Sequence, residues 1–355
     1  MHKGTVRNAV FGPALAVLVM LAFVGTCCAA SYEAASSLGR AAAQEALKQI
    51  KAESGKKPVR GDLIVMTDAG YAEIEGQPTM GALDGLSAVT GASRGRNTLI
   101  ELHASYTSPL WFAVYDKSSG QCAYLEAATF GGTFTAKRVA RVDIAWLRAN
   151  AEQAKQVLET KPFGGNEFRI ITAANAVAAG AAASTVRAFE FHDHFCPGVS
   201  SGILMAEYLK RNFAPGPRGY FVHSLNPWCK EDALLSLLNA TPGKQSYYVS
   251  YPGEAELAAR TGEAKQAATI FYRQNAASKT WEGLVLGCDF GETAYAKTGN
   301  TLIDKLNTDL YLLENRDHPE KFVKVVKRFE LPKGLTPMDW TRPGVDPLKE
   351  LGLLK

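Results

Sequence analysis

The sequence predicts a mixed α+β fold, because stretches with helical spacing and stretches with strand spacing alternate along it. Apolar runs typical of strands occur at 63–66, 111–115 and 281–287, whereas 302–313 has the spacing of an amphipathic helix. The composition, with 46% hydrophobic and 21% charged residues, is that of an ordinary globular protein. The 355 residues suffice for one large domain or two modest ones.

The first thirty residues have the features of a secretory signal peptide. Lys3 and Arg7 give a basic start, residues 10–24 are apolar, and Cys28-Ala29-Ala30 is a small-residue cleavage site. The apolar run is too short for a membrane-spanning helix. We therefore expect export to the periplasm or the extracellular space, with no membrane contact after cleavage. Lipidation of Cys27 or Cys28 is the alternative.

The charge balance gives no reason to expect nucleic acid or an anionic membrane as a partner. The whole chain has a formal charge of +4, and loss of Lys3 and Arg7 with the signal peptide leaves +2. A strong excess of basic residues would favour polyanions as partners, and this near balance does not provide one.

The first part of the mature chain is predicted to form a helix followed by an α/β module. The alanine-rich stretch after the signal peptide indicates an N-terminal helix within residues 31–60, and the module covers residues 61–165. Its predicted elements are strands at 63–66 and 99–103, a hairpin of 111–115 with 122–125, and a long helix at 136–159. A Lys-Pro-Phe-Gly-Gly stretch at 161–165 is the best domain boundary.

A second module is predicted over residues 166–330, with a C-terminal tail at 331–355. Both modules contain an aromatic strand, a serine-containing turn and a second strand, so the first could be a degenerate duplicate of the second. This hypothesis fails if the two halves differ in topology. The predicted strands are 220–223, 246–251, 268–273 and 281–287, and the predicted helices are 173–183, 201–213, 231–238, 302–313 and 319–328.

The second module contains the most distinctive stretch of the chain, in which His192, His194 and Cys196 occupy alternate positions. On an extended backbone, which Pro197 favours for the residue before it, all three side chains would leave on the same side. At about 3.3 Å per residue, His192 and Cys196 would lie roughly 13 Å apart, farther than one metal ion can bridge. All three can therefore share an ion only if the chain bends, and His194 with Cys196 is the easiest pair.

The residues after this stretch are predicted to begin a helix. Gly198 permits a sharp turn, and Ser200 or Ser201 can cap the following helix. A cysteine just before a helix N-terminus has its thiolate stabilised by the helix dipole, and the thiolate is the form that binds metals or attacks electrophiles.

A second cysteine in a similar setting is the obvious source of another ligand. Cys229 follows a predicted strand and precedes a predicted helix. Asp232 falls in the first turn of that helix, where it could stabilise the dipole or belong to a site. His223, six residues before Cys229, is a further candidate ligand.

Four cysteines remain after signal cleavage: Cys122, Cys196, Cys229 and Cys288. In an exported protein, two disulfides are the ordinary expectation. For Cys122 and Cys288, a disulfide or a simple buried thiol is the preferred interpretation. For Cys196 and Cys229, a disulfide competes with metal ligation.

The motifs around these residues resemble the FmdE family, which is named after a component of formylmethanofuran dehydrogenase. His192-x-His194-x-Cys196-Pro197-Gly198, with Gly202 beyond it, is similar to that family's HGHxCPG motif, and Cys229-x-x-Asp232-Ala233 is similar to its CxxDA motif. The resemblance covers mainly residues 173–253. Asp193 stands where the family usually has glycine, and the third motif, GCTxGK, survives only as Thr241-Pro242-Gly243-Lys244.

The resemblance implies an α+β core domain in the C-terminal half that binds zinc or a related ion, often in homodimers. His194, Cys196 and Cys229 are then the ligand candidates, with His192 beside them and Asp232 near the pocket. The dehydrogenase reaction itself belongs to other components of that enzyme, so the family name assigns no reaction here. An internal pseudo-dimer of the two modules is the alternative to a homodimer.

The leading functional hypothesis is an exported metal-binding protein whose His/Cys site holds zinc or another divalent transition metal. About three protein ligands would leave a position for water or a small-molecule ligand, and Asp232 or Asp193 would be the catalytic proton carrier if a reaction occurs. Two alternatives stay open. The site could be a non-catalytic carrier or sensor of a metal or a haem-type tetrapyrrole, or Cys196 could be a nucleophile with His194 as its base.

Overall fold

The computed structural model describes residues 14–291, 293 and 295–354, and it describes only the backbone of residues 14–30. The predicted signal peptide at 1–30 thus lies outside the described residues, apart from the backbone of its second half. The first helix, α1, spans Ala14–Ser54. Within the described part of the chain, no helix combines the length and apolarity that crossing a membrane requires.

The first half of the chain forms a five-stranded sheet with two helices on one face. Its elements are β1 (Leu63–Thr67), the short pair β2 (Glu73–Ile74) and β3 (Gln77–Pro78), α2 (Gly81–Thr90), β4 (Leu99–Glu101), β5 (Leu110–Asp116), β6 (Gln121–Ala127) and β7 (Phe134–Arg141). The strand order is β4-β1-β5-β6-β7, with β1 parallel to β4 and the other neighbours antiparallel. The predicted hairpin is β5 and β6.

Both faces of this sheet are buried, as the continuous apolar run of β1 indicates. Leu63 and Val65 pack with Leu38 of α1 on one face. Ile64 and Met66 point to the opposite face and join a core that extends into the second half. The two halves therefore share one apolar core.

Four helices connect the sheets and fill the space between them. They are α3 (Ile144–Ala149), α4 (Ala151–Glu159), α5 (Glu167–Ala178) and α6 (Ala183–His192). Ile170 and Ile171 of α5 and Val186 of α6 are buried in the shared core, against the first sheet. The helix that carries His192 is thus packed between the two halves.

The second half repeats the pattern of two helices and a five-stranded sheet. Its elements are α7 (Pro197–Asn212), β8 (Phe221–Ser224), α8 (Lys230–Leu238), β9 (Tyr247–Val249), α9 (Glu254–Ala259), α10 (Gly262–Gln266), β10 (Thr269–Gln274), β11 (Trp281–Cys288), α11 (Thr301–Glu314), β12 (Val323–Glu330) and α12 (Pro347–Glu350). Helices α7 and α8 pack on one face of the sheet. Trp340 and Leu348 of the C-terminal tail cover the other face.

The two sheets have the same topology. The second sheet has the order β12-β11-β10-β8-β9, with β8 parallel to β9 and the other neighbours antiparallel. In each half a helix, a strand, a helix and a parallel strand are followed by three antiparallel strands. This is the relationship that the hypothesis of a duplicated unit requires, and the fold is the predicted α+β class with a sheet in each half.

Three predicted helices differ from the structure. The sequence predicts one helix over 136–159, but β7 continues to Arg141 before α3 and α4 begin. It also predicts a helix over 319–328, but only Pro319–Lys321 form a 3₁₀ turn, and β12 follows. The predicted helix at 173–183 spans a break, because α5 ends at Ala178 and α6 begins at Ala183.

Candidate metal centre

The His/Cys stretch bends sharply instead of forming the extended strand that its alternation suggests. Helix α6 ends at His192, and Asp193 adopts a left-handed conformation with φ of 77°. Cys196 is extended and caps α7, with Pro197 in the first turn. The predicted serine cap is therefore wrong, since α7 begins four residues earlier than Ser201. The turn at Asp193 supplies the bend that a shared metal ion requires.

Cys229, the second cysteine predicted to be a ligand, lies beside His192, His194 and Cys196. It caps α8, whose first turn includes Asp232. Gly198, in the first turn of α7, permits this approach, because a Cβ atom there would lie 2.7 Å from the Cβ and 3.1 Å from the Sγ of Cys229. Any other residue at position 198 would displace Cys229.

Four side chains meet where α6, α7 and α8 converge. His192, His194, Cys196 and Cys229 each present one ligand atom, and these four atoms lie within 4.8 Å of one another. Among the described residues, this is the only group of at least three His, Cys, Asp or Glu side chains that could hold a metal ion. Two imidazole nitrogens and two sulfurs form a donor set that suits zinc.

Carboxylates fix the orientation of both imidazoles. The Nδ1 of His192 lies 2.6 Å from the Oδ2 of Asp232, and the Nδ1 of His194 lies 2.5 Å from the Oδ1 of Asp193. Each ring therefore has its Nε2 free for a ligand bond. In His192 this Nε2 is buried and has no hydrogen-bond partner. A buried polar atom without a partner is costly, and a metal ion would satisfy it, so these residues fit a bound metal.

The pKa values of the two cysteines are shifted in opposite directions. The interaction with the Cys196 thiol, followed by that with His192, lowers the pKa of Cys229 to about 4. The same interaction with Cys229, together with burial, raises the pKa of Cys196. Burial lowers the pKa of His192, but the interactions of His192 with Asp232 and Cys229 outweigh this effect and raise the pKa to about 9. These shifts favour a thiolate at Cys229 and a proton on His192, and a divalent cation would bind the thiolate and displace the proton.

The chain was compared with models of known protein families and with curated proteins. Residues 191–326 match the family model described as FmdE, Molybdenum formylmethanofuran dehydrogenase operon. The match lies in the C-terminal half, and the matched segment is called the FmdE domain below. No curated protein gave a significant match. All four residues of the cluster lie within the matched FmdE segment.

The other cysteines and His223 lie outside this cluster. All four described cysteines beyond residue 30 are free thiols, and Cys122 and Cys288 do not belong to the group. His223 is fully buried on β8, where its Nε2 lies 2.8 Å from the Oγ of Ser250. Burial lowers the pKa of His223 to about 4, so it is a neutral packing residue of the second sheet.

A buried carboxyl group that the sequence does not predict lies behind the cluster of His192, His194, Cys196 and Cys229. Asp309 of α11 is fully buried, and its Oδ1 accepts a hydrogen bond of 2.8 Å from the Oγ of Ser200. Burial raises the pKa of Asp309 well above its usual value, and the proximity of Cys229 raises it further. In the sequence, Asp309 is recognisable only as an acidic residue on the apolar face of α11. This pattern does not indicate which residues Asp309 contacts.

A cavity of about 870 Å³ borders the FmdE domain on the side of the histidines. His192, His194 and the two predicted catalytic candidates, Asp193 and Asp232, line it. The first sheet supplies another wall through Asp68, directly after β1, side chains of β5 and β6, and the segment that follows β4. Residues 164–166, Arg169 and Phe191 line the cavity as well. The first module thus borders the site.

Proposed function

We propose that this protein is an exported zinc-binding protein in which His192, His194, Cys196 and Cys229 hold the ion. One observation carries the proposal: four soft or borderline ligand atoms lie within 4.8 Å, and both histidines present their Nε2 to the group. Zinc is favoured over harder cations because no carboxylate belongs to the donor set.

The ligand set supports a tightly held ion. Four protein ligands of the Cys₂His₂ type are typical of structural zinc sites, whereas an open catalytic site usually has three. Bound zinc can also act as a Lewis acid, and His192 and His194 border the cavity where a small molecule could approach. We assign no reaction. Asp193 and Asp232 both bind imidazoles, so we propose that they orient the ligands rather than transfer protons.

Export is the second part of the proposal, and the sequence alone supports it. The basic start, the apolar run and the small-residue site within residues 1–30 have the order expected of a signal peptide. The expected result is a mature chain that begins near residue 31 and is recovered outside the cytoplasm, as N-terminal sequencing of the fractionated native protein would reveal. An intact N-terminus in the cytoplasm would contradict this part.

Thiol chemistry is the second candidate function, and the pKa values favour Cys229 over Cys196 as the reactive thiol. Cys229 is partly exposed and has its pKa lowered to about 4, whereas Cys196 is buried and has its pKa raised. Alkylation of Cys229 that bound zinc does not slow would favour this function. Protection by zinc would favour metal binding.

Metal analysis tests the main proposal directly. Mature protein purified from a zinc-containing medium is expected to carry one zinc per chain, and Cys196→Ser and Cys229→Ser are expected to lose it. Cys288→Ser is the matched control, because this partly exposed thiol lies outside the cluster. Wild-type protein without stoichiometric metal, with Cys196→Ser and Cys229→Ser indistinguishable from it, would rule out the proposal.

A further inference from the structure

The cavity beside the FmdE domain has a second polar wall, which belongs to the first sheet. Asp68, at the end of β1, is 1% exposed and lines the cavity. Its Oδ1 accepts a hydrogen bond of 3.0 Å from the Trp111 amide, but its Oδ2 is buried and has no partner. Burial accordingly raises the pKa of Asp68 to about 7. An unpaired carboxylate in such a place is costly unless a ligand neutralises it.

Glu126 lies on the same wall and also lacks a cationic partner. Its Oε1 accepts a hydrogen bond of 2.6 Å from the hydroxyl of Tyr124, and no described Lys, Arg or His side chain forms an ion pair with it. The proximity of Glu126 raises the pKa of Asp68 further, so the two carboxyl groups repel each other electrostatically. This wall therefore favours a positively charged occupant.

The one arginine that lines the cavity is already committed elsewhere. Arg169 donates hydrogen bonds of 2.8 Å to Asp193 and of 2.8 Å to Asn166. Asn166 in turn donates a hydrogen bond of 3.2 Å to the hydroxyl of Tyr124. Since Asp193 also binds His194, a continuous set of hydrogen bonds joins the two walls. The charge of Arg169 lowers the pKa of Asp68, but its described hydrogen bonds go to Asp193 and Asn166, so the Oδ2 of Asp68 keeps no hydrogen-bond partner.

Aromatic rings complete the wall around the two unpaired carboxyl groups. Trp111 and Tyr124 both line the cavity, and their ring centroids are 6.1 Å apart. Because Trp111 is 4% and Tyr124 is 1% exposed, the two rings pack behind the carboxyl groups, and the carboxyl groups are what would recognise an organic cation.

We propose that this cavity binds a small organic cation whose ammonium group pairs with Asp68 and Glu126. A second metal ion fits this wall less well, since the two carboxyl groups are too few for the oxygen-rich shells of calcium or magnesium. The described residues also form no group of three metal-ligating side chains there. The proposal depends on residues of the first sheet and does not require that the His/Cys cluster hold zinc.

Three probes of similar size that differ in charge test this proposal: 1-aminobutane, 1-butanol and butanoate. Titration calorimetry on the full mature chain as purified, near pH 7.5, is expected to detect binding of 1-aminobutane only. Asp68→Asn, which keeps the acceptor for the Trp111 amide, should weaken this binding by about tenfold or more, since charged hydrogen bonds are the strong ones. Glu126→Gln should weaken it as well.

Asp84→Asn is the matched control, because Asp84 lies on α2 and bonds only Tyr32 outside the cavity. Its affinity for 1-aminobutane should equal that of the wild type. Three results would overturn the proposal: no binding of 1-aminobutane, equal binding of butanol or butanoate, or an affinity unchanged in both Asp68→Asn and Glu126→Gln. A calcium or zinc ion that binds in place of the amine, with a dependence on Asp68, would also overturn it. Zinc content measured in the same samples distinguishes a failure of the organic-cation proposal from a failure of the proposed zinc site.

Discussion

The Oδ2 of Asp232 lies 2.6 Å from the Nδ1 of His192, so that the other ring nitrogen faces the two cysteines. The contact joins the two motifs of the FmdE domain, which are forty residues apart in the chain. A carboxylate behind a ligating histidine fixes its tautomer and its orientation and increases its basicity as a ligand.

Removal of this carboxylate should weaken metal binding without abolishing it. We expect Asp232→Ala to lower zinc affinity by about 10–100-fold, because His192 loses the partner that orients it. Asp232→Asn keeps an acceptor for Nδ1 and should recover part of the loss. Competition with a chromophoric chelator measures the affinities, and Asp317→Ala on the exposed surface is the control. An unchanged affinity in Asp232→Ala would show that this contact does not support the ligand.

The left-handed backbone at Asp193 should lower the free energy of unfolding by a measurable amount when the residue carries a Cβ atom. Asp193→Gly and Asp193→Ala both remove the contacts with His194 and Arg169, but only alanine places a Cβ atom on a backbone with φ of 77°. The metal-free glycine variant should therefore be more stable by about 1 kcal/mol. Urea unfolding of the two variants measures this difference. Equal stabilities would mean that the turn relaxes when the carboxylate is lost.

Burial of His223 predicts a specific dependence of stability on pH. The pKa of His223 is lowered to about 4 in the folded chain, from its ordinary value of 6.5, so the unfolded chain binds the extra proton first. Its contribution is complete above pH 6.5 and decreases as the pH falls toward 4, by a total on the order of 3 kcal/mol.

His223→Gln should flatten the decrease between pH 6.5 and 4. Urea unfolding of metal-free protein at several pH values in this window measures the slope, and His318→Gln, at an exposed site, is the control. If His223→Gln and the wild type lose stability in parallel, His223 is protonated in the folded protein.

A partly buried ion pair, in which only the carboxylate is fully buried, joins the first module to the helix that carries His192. Glu190 of α6 lies 3.1 Å from Arg94, also pairs with Arg187, and accepts a hydrogen bond of 3.0 Å from the amide of Glu101. Removal of this carboxylate leaves the Glu101 amide without its acceptor, whereas Arg94 keeps Glu101 as a partner, so Glu190→Ala should lower the free energy of unfolding by about 2 kcal/mol.

Glu207→Ala is the control for this measurement. Glu207 forms a surface pair with Lys210 within α7, and such pairs contribute about 1 kcal/mol or less. A loss in Glu190→Ala no larger than in Glu207→Ala would show that the ion pair does not hold the two halves together.

The sequence predicts the centres of the two sheets better than their edges. The hairpin of β5 and β6 is predictable because its apolar runs are buried on both faces. The two strands predicted as helices, β7 and β12, are edge strands at equivalent positions of the two sheets. Edge strands often carry charged side chains that prevent pairing with other chains, and such charges obscure the strand alternation.

The local motifs of the candidate site are recognisable in the sequence, but the residues that complete it are not. Cys196 and Cys229 precede helices, and this local setting is visible in the chain. Asp68 and Asp309 reach the cavity and the cluster through tertiary packing, from β1 and α11. Neither has a sequence neighbour that points to its role, so only the fold could place them.

X-ray absorption at the zinc edge tests the central claim most directly. For zinc-loaded mature protein, two sulfur atoms at about 2.3 Å and two nitrogen atoms at about 2.0–2.1 Å are expected. Cys229→Ser should lose one of the two sulfur contributions, and Cys288→Ser should not. A zinc shell that contains only oxygen and nitrogen, or one that is identical in wild type and Cys229→Ser, would contradict the account.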